Sequence, residues 1–303
     1  MTPPLLIAPV VADALAQKKP VVALETTVIT HGLPEGQGVR TALELESVVR
    51  ERGAVPATVG VLGGKLRVGL SPDELRALAG ATRVAKANLA NLGAVVASGK
   101  PGSTTVAATV LAAAMAGIQV MATGGIGGVH RGAAESGDVS SDLTALARHP
   151  VAVVCAGAKA VLDLPRTIEM LETLGVPVYG FRTGEMPAFY RRGSGLALDY
   201  RFDLMDEMAG AARVHWALGT GTGIVVANPI PGEFEMPLDL HEGSLQRAIS
   251  EAAAKGVRGR EVTPFLLERM RQLTEGRSVF SNLALLKHNA QVAAALAVVL
   301  AKA

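Results

Sequence analysis

The sequence has little cysteine, little charge and few aromatic rings. It contains one cysteine, Cys155. An intramolecular disulfide is therefore excluded, and a reducing cytoplasm is the expected setting. Charged residues make up 18% of the chain, too few for a disordered or coiled-coil protein. Acid and base nearly balance at a net charge of +2, and no cluster of Lys and Arg gives a nucleic-acid footprint. The N-terminal stretch MTPPLLIAPVVADALAQKK has no basic segment ahead of its apolar residues, which argues against a secretory signal. Long hydrophobic runs are lacking as well. Pro101 to His130 holds no Lys, Arg, Asp or Glu, but Ser, Thr, Gln and a run of glycines interrupt it. It reads as a buried helix over about 103–116, a turn at Gly117 and a strand over 118–122. The last apolar run, Val292–Ala301, is shorter than the roughly 20 residues a spanning helix needs. No membrane or nucleic-acid partner is expected.

What remains is a chain of 303 residues, 49% hydrophobic, with 34 glycines and 16 prolines. That length buries an ample core. Short apolar runs at Val21–Leu24, Ala57–Leu62, Leu66–Val68, Ala94–Ala97, Val151–Cys155, Val178–Phe181 and Ile224–Ala227 read as strands. Gly63-Gly64 reads as a hairpin turn. Helical patterns cover Gln37–Arg52 and Thr167–Leu174, and Ser71-Pro72-Asp73-Glu74 is a capping box that starts another helix. Beyond Leu240 the chain reads as helical over 244–255, 264–274 and 280–301. Strand and helix alternate without a linker or internal repeat. The expectation is one α/β domain over residues 1–303 with a mainly parallel sheet and a helical C-terminal part. In such folds ligands collect at the carboxyl ends of the strands.

Several strand ends carry chemistry. Glu25 closes the first run beside Thr26, Thr27, Thr30 and His31 and suits a general acid or base. Gly99–Val106 resembles a phosphate cradle at a helix start, although Pro101 departs from the Walker pattern. Lys86 upstream, an isolated cation between Ala85 and Ala87, reads by itself as a solvated lysine. Gly124–Gly132 bends sharply and fails the dinucleotide fingerprint. Asp138 and Asp142, spaced by one helical turn with Ser140 and Ser141 between, suit either a hard cation or helix capping. Lys159 stands among apolar residues after the 151–155 run. An amine in such a place can lose its proton and attack a carbonyl, or simply snorkel. Cys155 reads as core. Asn228, Asn282 and Asn289 suit capping and bridging, or the reading of a base edge.

Taken together, VVALETTVITHG, GAVPATVGVLGG, GKPGSTTVA, ATGGIGGVHRGA, DVSSDL, VVCAGAKAVLDL, VANPIP and TPFLLER stand in the order of one family. From about Val21 to Asn289 the chain resembles the pseudouridine-5′-phosphate glycosidase family, also called indigoidine synthase A-like. The resemblance implies an α/β/α sandwich and a cytoplasmic homotrimer. It implies reversible cleavage of pseudouridine 5′-phosphate to uracil and ribose 5-phosphate with a divalent metal, typically Mn²⁺. Residue by residue, it makes Lys159 the nucleophile and Glu25 the proton donor. Asp138 would hold the metal largely through waters, and Lys86, Val106, Ser140, Ser141 and Asp142 would contact substrate. The family's basic run after the first lysine is replaced here by Ala87-Asn88-Leu89-Ala90-Asn91, which leaves Arg83 as a second candidate for the Lys86 role. A Schiff-base aldolase or lyase on another sugar phosphate, or a non-catalytic sugar-phosphate binder, are the competing readings. With so few rings, recognition of the base is expected to lean on amides and backbone.

Overall fold

A computed structural model of the chain describes residues 4–34, 36–257 and 262–302. The strands are β1 (Leu5–Ile7), β2 (Val21–Leu24), β3 (Val55–Leu62), β4 (Lys65–Val68), β5 (Ala85–Ala87), β6 (Gly102–Thr104), β7 (Val120–Ala122), β8 (Ala152–Cys155), β9 (Val178–Phe181), β10 (Tyr200–Phe202) and β11 (Ile224–Ala227). They form one sheet in the order β1-β4-β3-β2-β7-β8-β11-β9-β10, with β6 on β3 and β5 on β6. Every pairing is parallel except β3 with β4 and β3 with β6.

The central strands β2, β7, β8 and β11 are buried along their whole length. Their unbroken aliphatic runs follow from that, because a parallel strand is covered on both faces. Helix Val106–Ala116 packs on β2 and β7, and so does the long helix Arg277–Leu300, which continues onto β8 and onto helix Gly38–Glu51. The result is a single α/β/α layered domain. Helix Arg277–Leu300 extends the apolar run read from the sequence to 24 residues, long and apolar enough to cross a bilayer. Here it serves as a core helix, and half of its most apolar stretch is buried inside the fold.

Local signals act where the sequence placed them. Gly63 and Gly64, at φ +58° and +69°, make the two-residue turn between β3 and β4. Ser71 and Glu74 close a reciprocal capping box at helix Pro72–Gly80. One element differs. Ala94–Ala97 is not a strand but the end of helix Leu92–Ala97. A four-residue apolar run carries no period of its own, and the Asn88 side chain accepts from the N–H groups of Ala90 and Asn91, curling the chain into a turn. The cradle expected to follow a strand is therefore a strand itself, β6, and the helix starts only at Val106.

Candidate active site

Glu25 directly follows β2 and is 7% exposed. The next residues wind into the short helix Thr27–His31, so the chain leaves the sheet at once and Glu25 stays at the strand mouth. Its Oε1 accepts from the hydroxyl of Thr123, which follows β7. Thr26 is anchored separately, donating to the Val59 carbonyl of β3 at 2.8 Å.

Lys159 follows β8 on a loop built for close approach. Ile126 donates to the Gly157 carbonyl at 3.1 Å, and Lys159 donates its N–H to the Ile126 carbonyl at 3.0 Å. Gly157 sits at φ +82°, and a Cβ there would collide with the Pro187 carbonyl. Only glycine meets both demands. Phe189 closes the other side of the loop. Its N–H donates to the Ala156 carbonyl at 3.0 Å, and its backbone lies at φ +61°, a strained conformation for a bulky residue.

Lys86 lies in β5 and is half-buried rather than solvated. The Asn91 amide donates to the Lys86 carbonyl at 3.0 Å, so the asparagines that replace a basic run hold the lysine's backbone. Arg83 is exposed and does not line the pocket.

These three charges meet. Glu25, Lys86 and Lys159 line one pocket of about 520 Å³, including its open mouth, at the carboxyl ends of the central strands. Burial pushes the Glu25 carboxyl above the ordinary carboxylate range. Lys159, the Thr123 hydroxyl and Lys86 pull it back only in part, and Asp142 adds to the rise. Burial, then the neighbouring Lys159, lowers the Lys86 ammonium. The pocket therefore holds a carboxyl that keeps its proton unusually well beside two amines, an arrangement suited to proton transfer and to attack on a carbonyl carbon.

The remaining expected residues sit around this centre with varied duties. Asp142 is buried, and both its oxygens serve backbone: Oδ1 accepts from Ala107 at 2.9 Å and Oδ2 from Gly127 at 2.7 Å. It joins the start of helix Val106–Ala116 to the glycine loop. Thr105 caps that helix at Ala108, and Val106 occupies its first turn, fully buried. Asp138 and Asp142 are not one helical turn apart. The helix begins at Ser141 with Ser140 as its cap, and Asp138 lies ahead of it, its carbonyl accepting from the His130 N–H at 3.0 Å beside Val139, which bridges Val129. There the half-buried Asp138 faces His130 at 3.8 Å. Burial lowers the His130 imidazolium; Asp138 opposes this, while Lys159 and Lys86 reinforce it, which places the pair within electrostatic reach of both lysines. Among the described residues no three His, Cys, Asp or Glu form a metal-holding group. Cys155 is fully buried with its thiol pushed up to about 12, the state of a core residue.

A family model described as indigoidine synthase A like protein matches residues 10–299. The chain belongs to the indigoidine synthase A-like family. It is 52% identical over 292 residues to a pseudouridine-5′-phosphate glycosidase of Caldanaerobacter subterraneus, covering 96% of this chain and 95% of that one. It is 51% identical over 303 residues to the enzyme of the same name from Paracoccus denitrificans, covering 99% and 100%. Among solved structures, it matches the prealnumycin C-glycosynthase AlnA in complex with ribulose 5-phosphate at 36% identity and a TM-score of 0.91, covering 98% and 97% of the two chains. An indigoidine synthase A-like protein of Thermotoga maritima matches at 39% identity and a TM-score of 0.87, covering 94% of each.

On this indigoidine synthase A-like fold, two further pocket residues stand out: Phe189, which sequence reasoning left aside, and Asn282, which it left open between bridging and reading a base edge. Phe189 lines the pocket, so a ring is present where amides alone were expected. Its edge lies 2.6 Å from where a Cβ on Gly125 would stand, which explains that glycine. Asn282, from helix Arg277–Leu300, also lines the pocket, and its buried Oδ1 has no hydrogen-bond partner among the described residues. A buried orphan acceptor facing a pocket signals a missing donor. No local motif marks either residue; the sheet order and the C-terminal helix bring them there.

Proposed function

We propose that the protein is a pseudouridine-5′-phosphate glycosidase. The observation that carries this reading is the convergence of Glu25, Lys86 and Lys159 in one pocket, in a chain that matches glycosidases of that name at about half identity along its length. The C-glycosynthase relative, which holds a sugar phosphate, supports C–C chemistry at an anomeric carbon on this fold.

The bond to be broken joins the anomeric carbon of the sugar to C5 of uracil. A two-carboxylate glycosidase protonates a leaving oxygen, and none exists here. Lysine offers another route. The C1′–O4′ bond of the sugar breaks and the Lys159 amine adds to the anomeric carbon, the proton it gives up ending on O4′. Its nitrogen lone pair then forms an iminium as the C–C electrons return to uracil. C5 of uracil takes a proton from Glu25, whose raised affinity for protons suits a donor. Water hydrolyses the iminium, releases ribose 5-phosphate and restores Lys159. Phe189 offers a face to the planar base, and the orphan Asn282 Oδ1 accepts from a ring N–H. Lys86, the first turn at Val106 and the Ser140–Asp142 segment face the sugar phosphate, Asp142 by holding two loops in register.

Asp138 is the residue we assign to a divalent cation. One half-buried carboxylate beside a neutral-leaning His130 is a sparse, incomplete donor set. It fits a hard ion such as Mn²⁺ that keeps most of its waters. Such an ion would supply positive charge near the phosphate. A cytoplasmic homotrimer completes the reading.

The test is direct. The protein is mixed with pseudouridine 5′-phosphate and Mn²⁺, and uracil is followed by chromatography. Release of uracil with equimolar ribose 5-phosphate is expected; no uracil above a protein-free control overturns the assignment. A Schiff-base lyase on another sugar phosphate would share the Lys159 adduct but release no uracil.

A further inference from the structure

Two fully buried amides lie behind the pocket and contribute nothing to the chemistry above. Asn228 follows β11 and is 1% exposed; Asn289, in helix Arg277–Leu300, is 0% exposed. A buried amide is costly unless hydrogen-bonded, and an aliphatic side chain would fill either place without that demand. Both amides are paired. Asn228 Nδ2 donates to Asn289 Oδ1 at 2.8 Å, and Asn289 Nδ2 donates to the Thr123 carbonyl at 2.8 Å and to that of Gly124 at 3.3 Å. The Asn228 N–H donates to the Cys155 carbonyl at 2.8 Å. The chain of bonds thus ties the carboxyl ends of β7, β8 and β11, and it ends on the residue whose hydroxyl holds Glu25.

We propose that Asn289, supported by Asn228, is a positioning residue for Glu25. It fixes the Thr123–Gly124 peptide and so aims the Thr123 hydroxyl. That hydroxyl occupies Glu25 Oε1 and turns the other carboxyl oxygen toward the pocket. The role of Glu25 as proton carrier rests on the function proposed above, but the positioning itself does not.

The test reads the Glu25 carboxyl by infrared titration, its band assigned by loss in Glu25→Gln. The groups facing Glu25 are Lys159, Lys86, Asp142 and Thr123, and His288 Nδ1 lies 3.1 Å from the Asn228 amide. The Thr123 hydroxyl lowers the Glu25 midpoint, so losing its aim raises it. Asn289→Ala and Thr123→Val should each move the midpoint up by at least about half a pH unit. The double variant should go no further than Thr123→Val alone, and Thr123→Ser should stay with the wild type. In the uracil assay Asn289→Ala should lower kcat about tenfold with KM changed less than about threefold. An unmoved midpoint in Asn289→Ala, or additive shifts in the double variant, overturns the proposal. Should Asn289→Ala fail to fold, Asn289→Ser takes its place; failure of both assigns the amides to stability alone and also overturns it. Because the infrared midpoint needs no turnover, a wild type that releases no uracil sinks the function and leaves this test standing.

Discussion

Glu25 and Lys159 follow β2 and β8, with only β7 between them. The ends of β2 and β8 therefore lie two strand spacings, about 10 Å, apart, and Lys159 sits four residues beyond β8. The two side chains line the same pocket. Thr123, at the end of the intervening strand, holds the carboxyl from below. In the reaction proposed above, the Lys159 nitrogen pushes its lone pair toward the anomeric carbon, the C–C electrons pass to C5 of uracil, and Glu25 supplies the proton there.

Lys159→Ala should therefore abolish the covalent step. Uracil release is expected to fall at least about a thousandfold. Borohydride with ribose 5-phosphate should add the reduced sugar to the wild type and leave the variant at its native mass, as read by intact mass spectrometry. Near-normal turnover in the variant would remove Lys159 from the nucleophile's role.

Glu25→Gln separates the steps. It should lose about 10²–10⁴ in uracil release while still forming the sugar adduct on Lys159. Its stability should move the other way. Folding raises the Glu25 carboxyl above its ordinary value of 4.5, so the native state binds that proton more tightly than the unfolded one. Its destabilising effect is absent below that ordinary value and grows as pH climbs through the raised one. Glu25→Gln should melt about 2 °C or more above the wild type at pH 8, with the gap closing toward pH 4. Calorimetry across that range checks it; a constant gap would detach the effect from ionisation.

Much of this site could be read from the sequence because its parts follow buried parallel strands, and a strand end is where an aliphatic run stops. Glu25 and Lys159 are legible for that reason. Lys86 was ambiguous because β5 is three residues long and is made a strand only by pairing with β6. Asp138 and Asp142 looked like a helical pair because spacing alone cannot tell a helix from an extended lead-in; the Ser140 cap decides it. Phe189 carries no local signal, Asn282 reads only as one of three unassigned amides, and the placement of both depends on long-range packing.

In the proposed reaction the Phe189 ring meets the base and not the sugar. Phe189→Ala should lower kcat/KM for pseudouridine 5′-phosphate by about 10–100-fold, the scale of one lost base–aromatic stack. Adduct formation from ribose 5-phosphate should change less than about threefold. Asn282→Ala should follow the same pattern, since its orphan oxygen faces the same pocket. An equal loss of both activities in either variant would place the residue at the sugar or in the fold.

Asp138 is set apart from the reacting pair, ahead of its helix and beside His130. If it holds a hydrated divalent cation, Asp138→Ala should lose most of the activation by added Mn²⁺ and raise KM more than it lowers kcat, because the ion's charge acts on the phosphate rather than on the breaking bond. Metal binding itself gives an independent reading: isothermal titration with Mn²⁺ should show about one site per chain in the wild type and at least tenfold weaker binding in the variant. Asp138→Asn keeps the shape and removes the charge, and should behave like the alanine. The fold should not suffer in either case, since the carboxylate makes no hydrogen bond to the core among the described residues. Unchanged Mn²⁺ dependence in both variants would move the ion elsewhere.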